Sequence, residues 1–297
     1  LQIAAGWTVE RLNSLRAEMA QSGLDGFIIP RWDAHQSEYV VIADERLAWA
    51  TGFSGTWGLA VVTQDRAAVF VDGRYTVQAA AEVSTAHFEL QHLYDEPVER
   101  WLARTAAKGE VYGYDPMILN PVVHAQIEPT IIEQGASLRA VSPNPIDHAW
   151  SDRPDTPIKP AFPFPAARAG ETSLSKRQRL AERLRAARTD LLVETQTDNI
   201  AWLLNWRGDE VPDNPIVQAF MLVDATGAVD LFVDARKLGN DVAAFELDGV
   251  TLHEPSAFLE RLSQRLKGGE RVSMDPKFSP VGAATAAREA GAVGLIE

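Results

Sequence analysis

The chain has 297 residues, which at roughly 150 per domain makes two domains or one large one, and either size buries a sizeable core. Apolar residues are 46% of the sequence and charged residues 23%, and no apolar run approaches the ~18 residues of a membrane span. A net charge of −13 repels phosphate and anionic headgroups, which argues against nucleic acid or a membrane as partner. The absence of cysteine excludes disulfides, thiolate metal sites and a cysteine nucleophile, and fits a reducing compartment, with the cytosol expected. The chain opens on Leu1 and closes on Gly294-Leu295-Ile296-Glu297, behind an apolar stretch read as a strand, so both ends read as trimmed.

In chain order, Leu12, Leu15 and Met19 repeat at helical spacing and predict an amphipathic helix. The run Leu24-Asp25-Gly26-Phe27-Ile28-Ile29 predicts a strand directly after it. Leu59–Thr63 and Ala67–Val71, flanking Gln64-Asp65, predict an antiparallel hairpin. Helical stretches are expected at Tyr75–Glu82, Val98–Ala107 and Val122–Glu133. Seven of the 17 prolines fall between Ser142 and Gly170; their fixed φ angles and missing donors exclude a helix or central strand there and mark a semi-rigid connection. The second half then repeats the pattern, with a helix on Leu180, Leu184 and Ala187, a strand at Thr189-Asp190-Leu191-Leu192-Val193, and a hairpin at Phe220–Val223 and Val229–Val233.

The two halves thus read as one unit used twice. Asp25 matches Asp190, Trp49 matches Trp202, Asp72 matches Asp234, Glu96-Pro97 matches Glu254-Pro255, and Asp115-Pro116 matches Asp275-Pro276, always in the same order. The expected fold class is α/β: two tandem domains, 1–160 and 161–297, joined by the Pro-rich linker at about 142–170, each a mixed β-sheet with helices on both faces.

Chemistry-bearing residues gather in a few loops. Asp33, His35, Glu38 and Tyr39 follow a buried strand, where α/β sheets place ligands. Asp33, His35 and Glu38 fit a metal or acid/base cluster, or a loop entering a helix capped by Asp33 or Ser37. The Gly52–Gly58 loop lacks nucleophile-elbow spacing, so Ser54 reads as part of a tight connection. Asp72-Gly73-Arg74-Tyr75 ends a strand, with Asp72 as a cap and Arg74 paired to a carboxylate. Arg207–Pro215, including Asn214, reads as a rigid surface loop, with a cation site as the alternative. Six basic residues from Lys176 to Arg188 read as a solvated helix face. No histidine array or other motif marks a catalytic centre.

Taken together, Asp33–Tyr39, Arg46–Gly55, Asp72-Gly73-Arg74-Tyr75 with Gln78-Ala79, Trp150-Ser151-Asp152-Arg153-Pro154, and Asp198–Gly208 with Asn214-Pro215 resemble the two N-terminal, creatinase-like domains of the large three-domain Xaa-Pro aminopeptidases. The resemblance covers essentially the whole chain. It departs at Trp57, usually a small residue, and at Glu210-Val211, usually Asp then Val or Ile. It implies a metallopeptidase parent whose two manganese ions and catalytic histidines belong to a pita-bread domain absent from this chain, so no catalytic residue and no metal ligand is assigned here. The parent would act on peptides with proline at the second position, and a homodimer is compatible. Asp33, His35, Glu38, Tyr39, Arg74, Tyr75, Arg207 and Asn214 are the expected substrate-cleft residues. The alternatives are a recognition or assembly module of a decayed peptidase and, more weakly, a creatinase-like amidinohydrolase, which has one such domain instead of two.

Overall fold

A computed structural model describes residues 2–239 and 242–296. The chain divides into two compact units, Leu1–Asp33 with Glu38–Thr156, and Ala34–Ser37 with Pro157–Glu297.

The first unit is built on six strands: β1 (Gly26–Pro30), β2 (Leu59–Thr63), β3 (Ala67–Val71), β4 (Glu89–His92), β5 (Val111–Tyr114) and β6 (Ser137–Ala140), in the order β4-β3-β2-β1-β5-β6. The β1-β2 and β2-β3 pairs are antiparallel, while β3-β4, β1-β5 and β5-β6 are parallel. Every residue of β1, β2 and β3 is buried, which is why these strands read as continuous apolar runs and need cover on both faces.

The second unit carries a two-stranded ribbon, β7 (Phe162–Pro163) with β9 (Trp206–Arg207), and six sheet strands: β8 (Leu191–Glu194), β10 (Phe220–Asp224), β11 (Val229–Phe232), β12 (Val250–His253), β13 (Arg271–Ser273) and β14 (Gly294–Ile296). Their order is β12-β11-β10-β8-β13-β14, with the same antiparallel and parallel pairings in the same places. The duplication read from the sequence is therefore a duplication of topology. It extends to single bonds: Val111 N donates to Asp25 Oδ2 at 2.8 Å, and Arg271 N donates to Asp190 Oδ2 at 2.8 Å.

The same register aligns the first helices of the two repeats. Val9–Gln21 buries Leu12, Leu15 and Met19 as expected, and Leu24 N bonds the Met19 carbonyl just as Thr189 N bonds that of Leu184. Met19 thus matches Leu184, Leu15 matches Leu180, and Leu12 matches Arg177. The helix Ser173–Ala186 is capped by Thr172, whose hydroxyl oxygen accepts from Ser175 N, and Ala187 is exposed. Its basic residues are not all on a solvated face. Lys176 and Arg177 are buried, with Lys176 Nζ donating to the Trp202 carbonyl and to Asn205 Oδ1, both at 2.7 Å. Arg177 donates to the carbonyls of Gly227 and Asp248. Carbonyl acceptors meet the hydrogen-bonding needs of these cations without any carboxylate.

The proline-rich connection also contains regular structure. Pro145–Ala149 is a short helix with Pro145 in its first turn, where a missing N–H costs nothing, and Asn144 Oδ1 accepts from Ile146 N. Ala166–Ala169 forms another turn of helix, and β7 holds Pro163. The helix Pro145–Ala149 is tied to the helix Arg46–Thr51 by a charged network. Arg46 pairs with Asp147 at 2.7 Å and with Asp44 at 2.8 Å, and Arg153 pairs with Asp147 at 2.8 Å. Burial pushes the Asp44 carboxyl up against the pull of the two arginines. Trp150 stacks on Trp49 with ring centroids 5.8 Å apart, within a core that includes Leu12, Leu15, Met19 and Ile146.

Candidate functional site

The first unit gathers a polar surface beyond the ends of β1 and β3. Leaving β3, the chain turns through Asp72-Gly73-Arg74-Tyr75. Asp72 Oδ1 accepts from Arg74 N at 2.9 Å, and the same carboxylate holds the Arg74 guanidinium, with Nη2 2.8 Å from Oδ2 and Nε 3.2 Å from Oδ1. The arginine holds the Asp72 carboxyl below the usual carboxylate range. Arg74 remains exposed, its guanidinium 5.1 Å from the centre of the Tyr75 ring.

Tyr75 rests edge-on against buried Phe53, with centroids 5.7 Å apart. The neighbouring Gly55 is required by this contact, because a Cβ there would lie 2.2 Å from Phe53 Cζ and 2.8 Å from Tyr75 Cδ1. Buried Arg31 fixes the same loop from below. Its Nε donates to the Gly55 carbonyl at 2.8 Å and its Nη2 to Glu45 Oε1 at 3.1 Å. Desolvation raises the Glu45 carboxyl, opposed by Arg31.

Thr56 follows on that loop. Its hydroxyl donates to Glu38 Oε1 at 3.0 Å. A threonine hydroxyl has one proton, so in the 2.6 Å contact between Thr56 Oγ1 and Tyr75 Oη the tyrosine is the donor. The three side chains form a relay, Tyr75 to Thr56 to Glu38, polarised toward the carboxylate. Tyr75 Oη is left with its lone pairs to accept from an incoming N–H or O–H, beside the exposed guanidinium of Arg74. Next to this relay, Ser54 donates through its hydroxyl to Glu82 Oε1 at 2.7 Å and accepts from Gln78 Nε2 at 2.9 Å. Ser54 is held as a structural link, as its loop position implied.

Of the eight expected cleft residues, the structure joins Glu38, Arg74 and Tyr75, and leaves Tyr39, next in sequence, 52% exposed. Asp33 is buried in the first unit. His35 belongs with the second unit, buried, its Nδ1 3.1 Å from the Thr195 carbonyl and its ring stacked on Phe220 at 4.5 Å. No helix follows Asp33 or Ser37 directly; the chain runs to a 3-10 turn at Ile42–Asp44. Among the described residues no group of three or more His, Asp or Glu side chains is placed to hold a metal ion.

In the second unit, Arg207 is engaged locally. Its Nη1 donates to the carbonyls of Ala201 and Trp206, and its guanidinium lies 4.4 Å from the Phe164 ring centre. Asn214 Nδ2 turns back to the Pro212 carbonyl at 3.1 Å.

Sequence reasoning did not select Thr56, Arg31 or Lys237, although one signal was present: the Asp-x-Arg pair occurs in both repeats. Asp234 holds Arg236 as Asp72 holds Arg74, with Arg236 N 2.9 Å from Oδ1 and Nη2 2.6 Å from Oδ2. That clamp holds the Asp234 carboxyl down at about 2. The next residue differs in chemistry. Where the first repeat has Tyr75, the second has Lys237, buried, with Nζ 2.9 Å and 3.0 Å from the two carboxylate oxygens of buried Glu210. Glu210 also accepts from Gln218 N, and Lys237 donates to the Gln218 carbonyl. The loop read as a surface loop or cation site is thus anchored from inside by an ion pair, and the position that is open in the first repeat is closed in the second.

Comparison with known proteins finds the creatinase/prolidase N-terminal domain twice, in two family models that match residues 11–146 and 152–294. A probable Xaa-Pro aminopeptidase P of Neurospora crassa is 34% identical over 252 residues, covering 84% of this chain and 37% of that protein. One from Botryotinia fuckeliana is 35% identical over 267 residues, covering 87% of this chain and 41% of that protein. The chain therefore spans less than half the length of these curated relatives. Among solved structures, the X-prolyl aminopeptidase of Caenorhabditis elegans, described as a cytosolic enzyme with a di-nuclear active site, matches 97% of this chain and 50% of its own, with a TM-score of 0.89 at 26% identity.

Proposed function

The chain belongs to the creatinase/prolidase N-terminal domain family, two such domains in tandem, and from that premise we propose that it is the non-catalytic front part of a metal-dependent Xaa-Pro aminopeptidase. On this reading the parent protein releases an N-terminal residue that precedes proline, and the first domain forms a wall of the substrate cleft. By the resemblance to the three-domain aminopeptidases, two manganese ions would belong to a further domain; the described residues of this chain offer no ligand set that fits them. No chemical step is assigned to a metal here.

The observation that carries the proposal is the polarised relay on the first unit. Glu38 and Thr56 keep Tyr75 Oη an acceptor, and Asp72 keeps Arg74 extended and charged. Such a surface can accept a peptide N–H at Tyr75 and a carbonyl or carboxylate at Arg74 without moving a proton. Positioning by polar groups on a rigid scaffold is what a cleft wall contributes to a reaction whose chemistry lies elsewhere. Support for the peptide class comes from the relatives, which are named for Xaa-Pro cleavage. The cytosol is proposed by analogy with the Caenorhabditis elegans enzyme, and no described helix is long and apolar enough to cross a membrane. A homodimer of the parent is compatible with the reading.

The test is Tyr75→Phe and Thr56→Val in the full-length protein. Both are expected to raise KM for an Xaa-Pro peptide by about 5- to 30-fold, the loss of one or two net hydrogen bonds of about 1 kcal/mol each, while kcat changes little. Unchanged KM in both variants would exclude the relay from the cleft.

A further inference from the structure

The two repeats treat one tryptophan differently. Trp49 lies on the helix Arg46–Thr51, which ends on Gly52 at φ 81°, and Trp202 lies at the matching place on the helix Thr197–Leu204, which ends on Asn205 at φ 54°. A cation from the preceding helix covers one face of each indole. Arg11 stands 5.7 Å from the Trp49 ring centre, and Lys176, its counterpart in the register that matches Met19 with Leu184, stands 4.5 Å from that of Trp202. From there the two diverge. Trp150 stacks on Trp49 and leaves it 2% exposed, whereas Trp202 is 51% exposed.

The cover on Trp49 comes from the ten residues after β6: the helix Pro145–Ala149 packs on the helix Val9–Gln21, and Trp150 closes over the indole. In the second repeat β14 is the counterpart of β6. We propose that Trp202 is a docking site for the segment that follows β14 in the parent protein, which places a short helix and an aromatic side chain on the Trp202 indole as Pro145–Trp150 does on Trp49. This rests on the reading that the chain is the front part of a longer protein. Two features fit the occupant. Lys176 and Arg179, 4.5 Å and 5.8 Å from the ring centre, are already held by the Trp202 carbonyl with Asn205 and by Glu171, so what the indole still lacks is an apolar or aromatic cover of the kind Trp150 gives Trp49. Leu180, the counterpart of fully buried Leu15, is only partly buried, as expected of a core edge awaiting its cover.

Hydroxyl-radical footprinting of the unsubstituted protein tests this, because indoles oxidise at rates set by exposure and no variant has to fold. In the 297-residue chain Trp202 should oxidise quickly and Trp49 slowly. In the full-length protein, and in a chain extended past residue 297 by a stretch as long as Val141–Arg153, Trp202 should slow at least 10-fold to match Trp49. Equal Trp202 rates in all three overturn the inference, as does protection seen only in the full-length protein, which would assign the cover to some other surface. Cleavage of Xaa-Pro peptides is measured on the same full-length sample. An active protein with an unprotected Trp202 removes the docking inference alone, and an inactive one with Trp202 protected removes the peptidase reading alone.

Discussion

Among the described residues, Lys237 and Glu210 form the most deeply buried ion pair of the second unit, with side chains 6% and 0% exposed. Lys237→Met would take from the Glu210 carboxylate its buried cation, leaving the Gln218 N–H as its partner among the described residues, and would remove the Lys237 donor from the Gln218 carbonyl. Breaking a buried pair from one side costs about 3–5 kcal/mol, since the orphaned charge keeps its desolvation penalty. Against a typical total of about 5–15 kcal/mol this is a large fraction, and for a unit of this size it lowers the melting point by about 10 °C. Lys237→Met combined with Glu210→Gln removes both charges and keeps an acceptor for Gln218 N–H, so at least half of the loss should return. The assay is urea and thermal unfolding of the 297-residue chain followed by tryptophan fluorescence, with the two units allowed separate transitions. A single-variant loss below about 1 kcal/mol, or a double variant as unstable as the single, would refute the assignment of the ion pair as the anchor of this loop.

Other positions yield equally specific expectations. Gly55→Ala should cost about 1–3 kcal/mol by overpacking Phe53 and Tyr75, with a change in near-ultraviolet circular dichroism; a neutral substitution would contradict the close approach. Trp150→Ala should cost about 3–5 kcal/mol and make Trp49 as reactive to hydroxyl radicals as Trp202; a Trp49 that stays protected would show that Trp150 is not its cover. Arg236→Gln should return the Asp234 carboxyl from about 2 toward its ordinary 3.8, read by NMR titration. Because the folded value is the lower one, the clamp contributes stability above the ordinary value, and that contribution is lost as pH falls from about 4 through about 2. An Asp234 that titrates identically in both proteins would remove the clamp as the cause.

Much of the fold was legible because its signals are local. Leu59–Thr63 and Ala67–Val71 are continuous apolar runs around a polar turn, and they are β2 and β3 to the residue. The order of matched motifs in the two halves gave the tandem repeat, and the sheet orders agree. The features that escaped depend on partners distant in sequence. Proline density hid the helix Pro145–Ala149, since proline is harmful inside a helix but favourable at its start. Lys176 and Arg177 read as solvated because a charge pattern does not reveal that backbone carbonyls at 202, 227 and 248 come to meet them. At the candidate site, Arg74 and Tyr75 were legible as a motif, while Thr56 was not. Its role exists only because three loops, at 38, 56 and 75, converge on one hydroxyl.

The central claim is that this chain is the non-catalytic front of an Xaa-Pro aminopeptidase. The most direct measurement is release of the first residue from an Xaa-Pro peptide and from a matched Xaa-Ala peptide, by the full-length protein and by the 297-residue chain, each supplied with manganese. The account predicts cleavage before proline by the full-length protein only. Cleavage by the chain itself, or none by an intact and folded full-length protein, would contradict it.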